Sequence, residues 1–207
     1  MSDERLRQLE RRWRASGSVH DESGYLLERV RAGDLSRERL ELAAYCGHQG
    51  ARAASAGDAP AAPQGLGDWG RGLEPWGKEP CVRAALSAGW AQSQAKEYSV
   101  DAVRALRRAL AWIRCPCQRH RALAREAAGR SSKIRSATEA ALAAAAADAE
   151  GAASKASKAL ARAAKVVGEG RVRAAAQSDV ASWALGNGDP VAQKIDALRD
   201  PGPPRFP

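Results

Sequence analysis

A chain of 207 residues is long enough to bury its own apolar core without a disulfide or metal staple. Alanine supplies 47 residues and aromatics only 5 %, a composition that suits close-packed helices and excludes a β-sandwich or barrel, whose strands draw on β-branched and aromatic side chains. Thirty-three Lys and Arg against twenty-four Asp and Glu leave a net charge of +9, so an acidic partner or an anionic surface has to be considered.

The opening Met1-Ser2-Asp3-Glu4-Arg5 begins a charged amphipathic segment without the apolar core of a signal peptide, and no apolar run of about eighteen residues follows anywhere. The expectation is a cytoplasmic protein with no membrane partner. Leu6, Leu9 and Trp13 recur at helical spacing and predict a first helix over residues 3–15. Ser18 offers an N-cap to a second helix over 19–32, with Val19, Leu26, Leu27 and Val30 on its apolar face and Gly33 where a left-handed C-cap belongs. Asp34 or Ser36 caps a third helix carrying Leu40, Ala43, Ala44 and Cys46, so residues 1–56 read as an N-terminal helical unit.

Residues 57–79 change abruptly to Gly, Pro and Trp and predict a connecting loop rather than a regular helix. Trp69 and Trp76 carry too much apolar area for a solvated linker and are expected to pin this loop at the junction of the two halves. Residues 80–199 read as an Ala/Arg-rich helical bundle. Pro80 opens a helix with Val82, Leu86 and Trp90 inside, and Ser99 caps a helix over 100–114 with Val103, Leu106, Leu110 and Ile113 on one face. Pro116 restarts the chain toward Gly129. Sixteen of the 28 residues from Ala137 to Ala164 are alanine, and no aromatic lies between Trp112 and Trp183, so 131–167 reads as a tightly packed αα-hairpin or one bent helix. Short helices over 171–185 and 190–199 precede a Pro-rich tail, 200–207, expected to be disordered. The predicted fold is an all-α bundle of αα-hairpins with seven to ten helices.

The charge is concentrated. Residues 99–135 hold ten basic and two acidic side chains, a net +8, which is nearly the whole excess. Arg104, Arg107, Arg108 and Arg114 lie on the side of their helix away from Leu106 and Leu110, and Arg121 and Arg125 continue the run. Such a face either docks an acidic protein or neutralises a phosphate backbone, or it is an ordinary solvated helix face.

Other motifs carry less. Gly65-Leu66-Gly67-Asp68-Trp69-Gly70 spells a dinucleotide fingerprint without the strand and βαβ context that give it meaning. Residues 19–46 resemble a helix-turn-helix, with Arg37 and Arg39 opening its second helix, yet that region is almost neutral. The four cysteines are too few and too uneven for a disulfide framework. Cys115, Cys117 and His120 could supply three soft ligands, with Cys81 or Cys46 and His48 completing zinc, but the paired Cys-x-x-Cys spacing is missing. No metal and no cofactor are therefore expected, and the thiols read as buried or inert. Cys117 keeps reactivity open, because a helix start among arginines favours its thiolate. No nucleophile elbow, His-Glu-x-x-His or phosphate loop occurs, so an enzyme is not expected.

Two stretches resemble known families. Residues 4–54, through Leu9-Glu10-Arg11-Arg12-Trp13 and Tyr25-Leu26-Leu27-Glu28-Arg29-Val30-Arg31-Ala32-Gly33-Asp34-Leu35, resemble an N-terminal helical module that recurs in uncharacterised proteins of GC-rich bacteria. Residues 81–165, through Ala109-Leu110-Ala111-Trp112-Ile113-Arg114 and Arg121-Ala122-Leu123-Ala124-Arg125-Glu126-Ala127-Ala128, resemble the all-helical immunity proteins of bacterial polymorphic toxin systems. The resemblance implies a non-enzymatic protein that binds and neutralises a cognate protein toxin by occlusion. Arg104, Arg107, Arg108, Trp112, Arg114, Arg121 and Arg125 are the expected contact residues. The alternative is a nucleic-acid-associated helical protein binding through 99–135, and weak non-specific nucleic-acid binding is expected in either case.

Overall fold

The computed structural model describes residues 2–56, 60–95, 99–130 and 135–198. Among them the protein is all-α, with twelve α-helices, one 3₁₀ turn and no strand. The expected tail, 200–207, lies outside the described residues. Cα packing divides the chain into two compact units, one of residues 1–62 and 180–188, the other of 63–179 and 189–207.

The first unit contains α1 (Ser2–Ser16), α2 (Val19–Arg31), α3 (Arg37–Tyr45) and α4 (Gln49–Ala54). Local chemistry sets its boundaries as the sequence predicts. Ser18 and Ser36 accept from the backbone N–H groups of Asp21 and Arg39, and Gly33 takes the left-handed φ of 76° that ends α2 at no steric cost. The core is Leu26, Leu35, Leu40, Leu42 and Tyr45, and Trp13 stacks on Tyr25 with ring centres 5.2 Å apart. Val19 departs from its expected inward position and is exposed, because it stands at the first residue of α2. The returning segment 180–188 is held by Arg29, whose Nη1 donates to the carbonyl of Leu185 at 2.6 Å, and by Arg39, whose guanidinium lies over Trp183.

The second unit contains α5 (Leu66–Arg71), the 3₁₀ turn Glu74–Trp76, α6 (Lys78–Gln94), α7 (Val100–Arg114), α8 (Gln118–Arg130), α9 (Arg135–Ala145), α10 (Ala149–Val167), the greater part of α11 (Glu169–Ala184) and α12 (Pro190–Asp196). Helix α6 is buried on nearly every side and packs on α10 and α9, while α7 and α8 also pack against α9. Alanines make this possible. An added Cβ on Gly89 would stand 3.3 Å from the Cα of Ala137, so α6 and α9 nearly touch backbone to backbone. The αα-hairpin expected within 131–167 is α9 and α10, although residues 131–134 are outside the description.

Three expectations are corrected. The 57–79 stretch is not helix-free: Gly65 supplies the extended N-cap of α5, Leu66 and Trp69 anchor that helix by burial, and bare Gly70 lets it meet the backbone of Ser157 in α10. Trp69 is fully buried but Trp76 is only half-buried, and both belong to the second unit. The helix count also exceeds the seven to ten expected, because α4 and α5 form as separate short helices.

Candidate functional site

Helix α7 begins at Ser99, whose hydroxyl accepts from the N–H of Ala102, and buries Ala102, Val103, Ala105, Leu106, Ala109 and Leu110. Its amphipathic pattern leaves Arg104, Arg107 and Arg108 on the opposite side. These three arginines, with Val100 and Ala111, line a shallow cleft of 310 Å³, with no carboxylate among its described lining residues.

The sequence-predicted contact residues do not all remain free for a partner. Arg107 is half-buried and donates to the carbonyl of Leu198, and Arg114 pairs with Asp196 of α12. Arg104 is exposed and pairs with Asp101 one turn back at 3.3 Å. Arg125 is exposed, and its guanidinium reaches toward the carbonyl of Ala145 at 3.4 Å. Trp112 is only 8 % exposed and lies beneath Lys78, whose Nζ is 4.0 Å from the ring centre. It is therefore a packing residue with a narrow accessible edge. The side chains of exposed Arg108 and Arg119 make no hydrogen bond or ion pair with any described residue. Arg121 faces a second cleft.

That second cleft, of 440 Å³, lies where α7 turns into α8 and is lined by Lys78, Trp112, Pro116, Cys117, Gln118, Arg121 and Ala147. Lys78 donates to the carbonyls of Ala144 and Ala146, both at 2.7 Å, and so closes the C-terminal end of α9. Partial burial, reinforced by Arg121, lowers its ammonium to about 8.

The thiols on the rim are close together. The sulfurs of Cys115 and Cys117 and a ring nitrogen of His120 lie within 4.8 Å of one another. His120 Nδ1 is 3.3 Å from Cys117 Sγ and 3.0 Å from the carbonyl oxygen of Cys115. A carbonyl only accepts, which assigns the proton to Nδ1 and makes the Cys117 sulfur a second acceptor. The backbone N–H of His120, the Cys115 thiol, the His120 ring and the backbone N–H of Arg119 together lower the Cys117 thiol to about 7. The Cys115 thiol is pushed up by the hydrogen bond it gives to Cys117. Burial pushes the other two thiols up, Cys81 to about 12 and Cys46 further.

Among the described residues no fourth His, Cys, Asp or Glu joins the trio, which leaves it one protein ligand short of a closed structural zinc site. The nearby cations Lys78 and Arg121 also favour an anion in the cleft over a metal ion. Composition and spacing singled out Cys117 as a thiolate candidate, but they did not show the cleft beside it, because Lys78 and Ala147 come from distant parts of the chain.

The remaining motifs take these places in the fold. The glycine fingerprint at 65–70 forms α5. In the helix-turn-helix-like pair, Arg37 is tied to Glu41 and Arg39 covers Trp183. Among the described residues, no helix is long and apolar enough to cross a membrane. No protein family, curated protein or solved structure matches this chain.

Proposed function

We propose that this protein is a binding protein of the immunity kind, acting in the cytoplasm to neutralise a cognate protein toxin by covering it, with α7 and α8 as the docking face. The observation that carries the reading is the gathering of Arg104, Arg107 and Arg108 around one concave spot, within a segment whose net charge is +8. Helices held on an alanine-packed scaffold present those charges with little ordering cost on binding. Arg107, already fixed by the Leu198 carbonyl, supplies the rigid centre of the patch, and Arg108 and Arg119 supply charge that no described carboxylate neutralises. The resemblance of residues 81–165 to helical immunity proteins supports the same reading. A basic face calls for a partner with an acidic surface, so the toxin is not a basic nuclease bound through its nucleic-acid groove.

The test is the affinity of the chain for the toxin encoded beside it, compared with that of an Arg104→Glu/Arg108→Glu/Arg119→Glu variant. The reversal is expected to weaken binding by about tenfold or more and to abolish protection on co-expression, while melting changes little because all three side chains are exposed. Equal affinity of the variant overturns the docking face. Sequence-selective DNA binding at physiological salt overturns the immunity reading in favour of the nucleic-acid alternative. A merely electrostatic DNA affinity is expected to fall with salt at a log-log slope of about 0.9 per neutralised phosphate.

A further inference from the structure

The Cys115-Pro116-Cys117 turn is not used by the docking face, and it places two accessible thiols beside an imidazole on the rim of a cationic cleft. We propose that Cys117 and Cys115 form a thiol–disulfide exchange site that takes a small disulfide carrying carboxylates, with Cys117 as the attacking sulfur and Cys115 as the resolving one.

Three observations lead there. Cys117 stands immediately before the thirteen-residue α8, its carbonyl accepts the Arg121 N–H, and the N–H groups of the helix's first turn face its sulfur. His120 Nδ1 donates to the same sulfur and, through the Cys115 carbonyl, is held in that orientation. The cleft that Cys117 lines carries Lys78 and Arg121, whose charges suit carboxylates on the incoming disulfide. The groups around the thiolate are therefore His120, Cys115, Arg119, Lys78 and Arg121, and the one described carboxylate acting on this cluster is Asp148, which offsets part of the Lys78 charge.

The chemistry balances in two displacements. The Cys117 thiolate attacks one sulfur of the disulfide, a Cys117 mixed disulfide forms, and the first small thiolate leaves and takes a proton. Cys115 then gives its proton to solvent, attacks the Cys117 sulfur and expels the second small thiolate. The protein loses two electrons and two protons, and one small disulfide becomes two small thiols. The Cys115 and Cys117 sulfurs lie within 4.8 Å of each other, and forming the disulfide requires the exposed Cys115 side chain to bring them to about 2.0 Å. Closing that bond beside Trp112 and Arg121 makes the oxidised and reduced rims different in shape as well as in charge.

The site is tested on the full-length folded protein with oxidised glutathione as the anionic probe and cystamine as its cationic counterpart, followed by mass spectrometry. Oxidised glutathione is expected to convert the wild type to a Cys115–Cys117 disulfide, and Cys115→Ser to a stable mixed disulfide on Cys117. Cys117→Ser is expected to react roughly fivefold more slowly, the gain in thiolate being partly offset by lower nucleophilicity. Buried Cys46 and Cys81 serve as internal controls and should remain unmodified. Relative to a free cysteine peptide, the protein should prefer oxidised glutathione to cystamine, and Arg121→Glu should reverse that preference while circular dichroism remains unchanged. The proposal is overturned if Cys115→Ser and Cys117→Ser react equally fast, if cystamine is preferred by the wild type, or if the purified protein carries a metal that blocks both thiols until chelation. Each outcome is independent of toxin binding, so failure here leaves the docking reading standing, and the reverse also holds.

Discussion

Lys78 lies over Trp112, its Nζ 4.0 Å from the ring centre, and the same ammonium donates to the carbonyls of Ala144 and Ala146. One side chain at the start of α6 thus joins the end of α7 to the end of α9, and it forms one wall of the thiol cleft. Lys78→Met keeps most of the stem but loses both carbonyl caps and the cation–π contact. The expected cost is about 2 kcal/mol in urea denaturation, with an unchanged slope. A shift below about 0.5 kcal/mol would mean that water replaces the ammonium without loss.

Two helical glycines should respond in opposite directions. Gly89 faces Leu106, whose Cδ2 would lie 2.5 Å from an added Cβ, and the backbone of Ala137. Gly89→Val is expected to cost about 2 kcal/mol or more by overpacking. Gly24, in α2, has nothing within 4 Å of the same position. Gly24→Ala should stabilise by about 0.5–1 kcal/mol through helix propensity. Thermal unfolding of both variants checks the contrast.

The buried carboxylate of Asp179 is only 3 % exposed and is held by Lys194 Nζ at 2.6 Å and by the hydroxyl of Ser87 at 2.7 Å. Lys194→Met leaves that charge without its cation and is expected to cost about 3–5 kcal/mol. Arg114→Gln breaks the pair with Asp196, where both side chains are about half exposed, and should cost less than about 1 kcal/mol. Chemical denaturation that ranks the two variants the other way would refute this division of labour.

The lowered Cys117 thiol predicts a pH profile. Its thiolate is favoured in the folded protein, so alkylation by iodoacetamide should rise with pH through a midpoint near 7, whereas Cys115 should need higher pH because its thiol is pushed up. The sign for stability is the same: a thiol with a folded pKa below its unfolded value contributes stability above the unfolded pKa and loses it as pH falls through the folded one. Replacing His120 by Asn removes one donor to the sulfur and should move the Cys117 midpoint upward. A single midpoint shared by both cysteines would contradict the assignment.

Much of the fold is legible in the chain because capping and periodicity act over three or four residues. Ser18 and Ser99 cap the helices they were expected to cap, Ser36 rather than Asp34 caps the third, and the alanine run forms a close-packed hairpin rather than one bent helix. Cys115, Cys117 and His120 are also legible as a cluster, since six consecutive residues contain them all. The short helix at 66–71 is not, because its glycines argue locally against helix and only burial of Leu66 and Trp69 against the second unit overrides them. The fate of the arginines is equally non-local. Arg107 meets the Leu198 carbonyl, Arg114 meets Asp196 and Lys78 meets Trp112 across 91, 82 and 34 positions of sequence. Sequence by itself determined helical class, caps and the place of the positive charge, all of which depend on neighbours along the chain. Tertiary structure alone decided which of those charges remain available and which thiol borders a cleft, because both depend on carbonyls and carboxylates that packing brings from far away.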